Sequence, residues 1–322
     1  MRILIASILA VACAIPMQAH AQARKYPDKP IRMLVGYSAG GAVDATARII
    51  AERLGPALGT QVVVENRVGA TGNIAADLAA RAEPDGYTLF MSTSITAVSQ
   101  TLVKNLSYHP LNSFAPITRA IYATNVLVAH PSVPAKTVKE LVDHVKANPG
   151  KVTYATTGAG GSPHLAAELL SSLAGLKMVH VPYKGGAPAV ADLLAGHVNI
   201  SFSNPTSVIP HIATGKLTGM ATTGAKRFSG LPNLPTMIES GYPEFNLNAW
   251  YGVVAPAGTP PEIVSRLNTE IVRILNSPEV QDLLLKQGLE SAPSTPQEMA
   301  AEITADIAKY AKVLKAARIE PQ

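Results

Sequence analysis

Two loops hold the residues best able to do chemistry, and that chemistry is the capture of an anion. The first, Gly36-Tyr37-Ser38-Ala39-Gly40-Gly41, leaves an apolar run and enters a helical pattern. The second, Thr156-Thr157-Gly158-Ala159-Gly160-Gly161-Ser162-Pro163, does the same after a β-rich run. Each sets small residues at a helix N-terminus. There the first N–H groups have no intrahelical partners and carry the positive end of the helix dipole, and glycine lets a ligand approach the backbone. The terminus offers an anion about 0.3–1 kcal/mol and each hydrogen bond to a charged group about 1.5–3 kcal/mol, whereas surface lysines are screened beyond about 8 Å. The loops, not bulk charge, should decide affinity.

The side chains in and beside these loops have more than one reading. Tyr37, Ser38, Thr157 and the glycines read first as ligand contacts. Ser162 reads equally as the N-cap of its helix, with Pro163 at the first helical position, and as a contact, since a cap side chain can do both. Asp44 reads first as a dipole partner or cap, because a carboxylate beside an anion site repels unless the ligand carries an amine. His164 reads first as a packed first-turn residue. Ser92-Thr93-Ser94 and Ser203-Asn204-Pro205-Thr206 follow strands, at sheet ends where ligands collect, although polar loops are common there. Val181-Pro182-Tyr183-Lys184-Gly185-Gly186 is either a further anion nest or a structural turn. The candidate ligand set is Tyr37, Ser38, Ala39, Gly40, Gly41, Asp44, Ser92, Thr93, Thr157, Gly158, Gly160, Gly161, Ser162, His164 and Asn204.

Specific enzyme motifs fail. The first loop lacks the Lys-Ser/Thr ending of a P-loop, and Pro163 falls near where a dinucleotide fingerprint needs its third glycine. Gly36-Tyr37-Ser38-Ala39-Gly40 matches the bare G-x-S-x-G spacing, but there is no S-x-x-K or H-E-x-x-H, and the histidines show no metal-ligand spacing. No catalytic residue, metal or cofactor is expected. A secreted hydrolase would need a nucleophile paired with a base, and the sequence shows no such pair.

The elements that position the loops alternate β-rich runs with amphipathic helices, which predicts a parallel α/β architecture. Strands are expected at 31–36, 61–65 and 87–91, with helices at 43–54, ended near Gly55-Pro56, and 73–82. A strand at 124–129 crosses into a second lobe. It is followed by a capping box, Thr137-x-x-Glu140, opening a helix to 147, and by strands at 152–155, 178–181 and 198–202 with helices at 163–174 and 187–195. Residues 249–255 recross, and Pro260-Pro261, Ser277-Pro278 and Thr295-Pro296-Gln297-Glu298 start three helices expected on the first lobe. The resulting plan is two α/β lobes, a sheet flanked by helices in each, with a cleft between: 24–124, then 125–246, then a return over 247–322.

Composition removes other classes. The 322 residues are 47% hydrophobic and 15% charged, which excludes disorder, and a net charge of +5 without basic runs or interleaved aromatics argues against nucleic acid. Met1-Arg2, an uncharged apolar stretch over 3–15 and Ala19-His20-Ala21 read as a signal peptide cleaved after 21, or after 23; the stretch is shorter than the roughly 20 residues that span a bilayer. The single cysteine, Cys13, lies inside it in a poor lipobox, so the mature chain has no thiol, as suits the periplasm.

One ordered set of motifs is specific: Tyr26-Pro27-Asp28-Lys29-Pro30-Ile31, Gly40-Gly41 with Asp44, Val64-Glu65-Asn66-Arg67, Pro84-Asp85-Gly86-Tyr87-Thr88-Leu89, Phe114-Ala115-Pro116, His180-Val181-Pro182-Tyr183-Lys184-Gly185 and Ala255-Pro256-Ala257-Gly258-Thr259-Pro260. Together they resemble the Bug family, the substrate-binding receptors of tripartite tricarboxylate transporters, over nearly the whole mature chain. The resemblance implies a non-enzymatic periplasmic receptor of two-lobed, type II-like binding-protein fold that closes its ligand cleft over a small organic carboxylate and delivers it to a membrane pair of one large and one small subunit; a monomer is expected. It also implies that residues 37–41 and 157–162 hold the carboxylate from opposite sides, partly through ordered water. The family usually has Pro-Phe where this chain has Gly36-Tyr37, and the phenol can add a hydrogen bond or narrow the pocket. A periplasmic sensor using the same cleft remains the alternative role.

Overall fold

The computed structural model describes residues 26–158, 161–183, 185–245, 247 and 249–316. The expected signal segment with Cys13, and the loop residues Gly160 and Lys184, lie outside the described residues.

In chain order the elements are β1 (Ile31–Val35), α1 (Ala42–Leu58), β2 (Val62–Asn66), a short 3₁₀ turn (Ala70–Gly72), α2 (Asn73–Ala80), β3 (Thr88–Thr93), α3 (Ser94–Leu102), β4 (Phe114–Ala123) and β5 (Val126–Ala129). Then come α4 (Val138–Ala147), β6 (Thr153–Thr156), α5 (Ser162–Ala174), β7 (Val179–Pro182), α6 (Gly186–Leu194), β8 (Ile200–Ser203), α7 (Pro205–Ala213) and β9 (Thr218–Thr222). The chain ends with β10 (Ala249–Pro256), α8 (Pro261–Leu275), α9 (Pro278–Leu285), β11 (Glu290–Ser291) and α10 (Pro296–Ala316).

These strands form two sheets, ordered β11-β4-β10-β3-β1-β2 and β7-β6-β8-β5-β9. The parallel expectation holds for β2, β1 and β3 and for β7, β6 and β8, but β10 and β5 run antiparallel to their neighbours, so both sheets are mixed. The reason is topological. A strand that follows a helix packed on its own sheet returns in the same direction, whereas β5 and β10 arrive from the other sheet and enter at the opposite end. Only Thr124 and Asn125 join β4 to β5.

Each sheet is covered on both faces. In β1, Ile31, Met33 and Val35 enter one apolar cluster with α1 and α8, while Leu34 points to the other face with α2, Trp250 and α10. That alternation is the period of two of a strand buried on both sides.

Several boundaries differ from the sequence reading. Helix α1 runs through Gly55-Pro56 to Leu58 and ends on Gly59 at φ 73°. A proline so near the end forgoes only the bond to the residue four back, the exposed Glu52. The elements α3, β4, α7 and β9 were not anticipated: β-branched Ile95, Thr96 and Val98 hide a helix, and Pro116 and Arg119 interrupt the apolar pattern of a strand. The box at Thr295 and Glu298 closes in both directions, whereas Glu140 accepts from the Lys136 N–H instead of that of Thr137. Ser277 stands at the N-cap of α9, but its hydroxyl donates to the Ile274 carbonyl.

Helix α10 also departs from the expected return to the first sheet alone. Met299 and Ile303 pack with the first sheet, but Tyr310 and Leu314 enter the core cluster of the second. At about 1.5 Å per residue its 21 residues span about 31 Å, enough to reach both.

Candidate functional site

The loops after β1 and β6 face each other across a cavity of about 560 Å³. Tyr37, Ser38, Gly41, Thr71 and Thr93 line it from the first sheet, Thr157, Gly158, Gly161 and Ser162 from the second, and Ala249 and Tyr251 from the crossing strand β10. A smaller cavity of about 180 Å³ shares Thr157, Ser162, Pro163 and Tyr251 and extends toward the starts of α6 and α7. Both lie at the carboxyl ends of the strands that precede helices, the usual ligand position in open α/β sheets. Among the described residues lining the two cavities none carries a charged side chain.

The first loop is held from behind. A Cβ on Gly36 would come within 2.5 Å of the Gly72 Cα, so the chain turns out of β1 against the 3₁₀ turn only because residue 36 is glycine. Asp44, 1% exposed, accepts hydrogen bonds from the Gly40 N–H at 2.8 Å, Asn66 Nδ2 at 2.8 Å and Arg48 Nε at 2.9 Å. Burial alone would raise its pKa; the bonds from Arg48, Asn66 and Gly40 outweigh that and hold the carboxyl below its ordinary value. Its charge is consumed behind the loop, and Asp44 does not line the cavity.

The second loop is anchored by side chains. The N-cap of α5 is Gly161, not Ser162, which is already helical and followed by Pro163. The Ser162 hydroxyl accepts from Asn125 Nδ2 at 3.1 Å, so its own proton is left to donate. Gly158, at φ 124°, donates its N–H to Thr156 Oγ1 at 3.2 Å, and the same oxygen lies 2.6 Å from His180 Nε2.

Of the other anticipated residues among those described, all but Thr93 fall outside the larger cavity. Ala39 and Gly40 form the exposed outer turn of the first loop, and Ser92 is buried inside β3. Thr93 ends β3 instead of sitting in a free loop, and its hydroxyl meets the cavity beside Tyr37 at 3.3 Å. Asn204 caps α7 by accepting from the Thr206 N–H at 3.0 Å, and it lines the smaller cavity. His164 stacks on His180 with ring centroids 4.3 Å apart, and Tyr154 stacks beyond at 5.0 Å from His180. Burial first, then the neighbouring His180, lowers the pKa of His164 against the opposing pull of Glu168.

The lining residues that the sequence reading missed include Thr71, Ile95, Ala249 and Tyr251, while Ser94 lay in a loop it named but was left out of the candidate set. Tyr251 had a signal, since β10 was read as a crossing strand. Thr71 had none, because its place depends on the turn packing against Gly36. A larger cavity of about 720 Å³ is lined by Lys226, Glu290, Glu302 and Asp306, among others, but by none of the candidate loop residues.

Two helix-covered sheets with a ligand-sized cleft where their loops face one another, lined by no charged side chain among the described residues, define a two-lobed solute-binding protein. Residues 46–319 match the tripartite tricarboxylate transporter family receptor. The chain belongs to that family, a family of solute-binding receptors and not of enzymes. It is 37% identical to the protein BugT of Bordetella pertussis over 292 residues, covering 90% of each chain. The structure of periplasmic binding protein BugD superposes with a TM-score of 0.76 at 36% identity, over 92% of this chain and all of that one. R. palustris Rpa4515 with adipate gives 0.79 at 34% identity, with the same coverage. Among the described residues no helix is long and apolar enough to cross a membrane.

Proposed function

We propose that this chain is exported to the periplasm behind a cleaved leader and there, as a monomer, captures a small organic carboxylate and delivers it to the membrane subunits of a tripartite tricarboxylate transporter, without chemistry on the ligand. The lobes are residues 24–124 with 247–322, and 125–246, and they close on the ligand as the bridge between them. The observation that carries this reading is one cleft lined from both sheets by hydroxyls and helix N-termini and by no charged side chain among the described residues. The carboxylate is held by backbone N–H groups of the loops at 37–41 and 157–162, with Tyr37, Ser38, Thr93, Thr157 and Ser162 as hydroxyl partners. That an adipate complex exists for a relative at 34% identity supports an acid of this size.

Thermal-shift screening against mono-, di- and tricarboxylates, amino acids and aromatic acids tests it. A ligand at about 100 times its Kd stabilises by about 2.7 kcal/mol, a clear rise in Tm. Silence across the panel overturns the reading. Loss of uptake of the identified acid on deletion of the gene then separates transport from sensing.

A further inference from the structure

The turn at the rim of the cleft is conformationally expensive. Gly69, Ala70, Thr71 and Gly72 take φ values of 142°, 45°, 56° and 93° in succession. Glycine adopts such angles freely, but Ala70 and Thr71 carry a Cβ there, and for a β-branched residue this is an outlier. The turn cannot relax by moving away. Gly72 backs directly on Gly36, and a Cβ on Gly72 would meet the ring of Tyr37 at 3.4–3.5 Å.

The backbone of residue 71 has a use that any residue type would serve. Tyr37 Oη lies 3.3 Å from the Thr71 carbonyl and 3.3 Å from Thr93 Oγ1. A phenol has one proton to donate. With the carbonyl able only to accept, the consistent arrangement is Thr93 donating to Tyr37 and Tyr37 donating to the Thr71 carbonyl. A glycine at 71 would keep this chain of bonds and remove the strain. The threonine side chain therefore has no backbone reason to be there. It is exposed, it belongs to a residue lining the cavity, and its hydroxyl has no hydrogen-bond partner among the described residues. Strained residues of this kind concentrate at ligand clamps.

We propose that Thr71 is a specificity-determining residue of the cleft, whose hydroxyl bonds a polar substituent that the bound acid carries beyond the carboxylate held by the loops. This rests on the receptor reading and narrows its substrate class to hydroxy-substituted organic acids. The hydroxyl that the ligand brings is matched by Thr71 on the first-sheet rim, while the loops on both sides hold the charge.

The test uses the full mature chain and acids that differ by one hydroxyl: succinate and malate, butyrate and 3-hydroxybutyrate, benzoate and 4-hydroxybenzoate. Titration calorimetry on the wild type should show a preference of about tenfold for the hydroxylated member of at least one pair, the size of a single well-placed hydrogen bond. Thr71→Val keeps the β-branch and should lose that preference, whereas Thr71→Ser should keep it. Thr71→Gly should lose it too while raising the Tm of the unliganded protein, a combination that a purely structural threonine would not produce. Equal binding within every pair, or a preference that survives in Thr71→Val, overturns the inference and leaves the receptor reading standing. Failure of the wild type to bind any acid overturns the receptor reading and this inference with it.

Discussion

Asp44 accepts the backbone N–H of Gly40 at 2.8 Å, so a carboxylate buried behind the first loop holds that loop's outer turn. The relation inverts the usual worry about an acid near an anion site. With Arg48 and Asn66 also bonded to it, the carboxylate presents its charge inward and leaves the amides of the helix start to the cavity.

Asp44→Ala should therefore cost about 2–3 kcal/mol, since three donors lose their acceptor, and should weaken acid binding although residue 44 does not line the cavity. Urea unfolding and calorimetry of the same variant measure both. The pH dependence has a definite sign. The folded pKa lies below the ordinary carboxylate value, so this stability is present above about pH 3.9 and is lost as pH falls through the lowered pKa. The acid limb of the wild-type Tm profile should be shallower in Asp44→Asn.

A second prediction concerns the stacked pair His164 and His180. Burial lowers the pKa of both, with Glu168 opposing. A histidine with a depressed folded pKa contributes stability above its unfolded value, near pH 6.5, and loses it as pH falls toward the folded value. Tm should fall as pH drops below about 6.5, and less steeply in His164→Phe, which keeps a ring in the stack. Parallel profiles for the two proteins would remove the pair from the account. Because His180 Nε2 lies against the Thr156 oxygen that receives the Gly158 N–H, acid binding should weaken over the same pH range.

The third prediction follows from α10. Tyr310, 3% exposed, packs in the core cluster of the second sheet while Met299, three turns earlier, packs with the first. Tyr310→Ala should cost about 3–5 kcal/mol by the lost burial and the cavity left behind. Small-angle scattering of the unliganded variant should also show a larger radius of gyration, because one helix that grips both lobes restrains their separation. An unchanged radius would leave Tyr310 a core residue only.

Much of this protein was legible without coordinates. Apolar periodicity and caps placed most strands and helices, because a buried strand and an amphipathic helix each write their own period into the chain. Both candidate loops were visible as small residues between a strand and a helix, since the chemistry of a helix start is local. The tertiary structure decided what depends on distant packing. It made Ser162 a helical residue held by Asn125 instead of a cap, turned Asp44 inward, and left His164 in an aromatic stack. It also brought Thr71 and Tyr251 to the cleft from segments whose local patterns point nowhere in particular. The direction of β5 and β10 belongs to the same class, for which way a strand runs depends on the sheet it joins and not on its residues. Local periodicity thus determined the elements and the candidate loops, and long-range contact determined which side chains face the cavity.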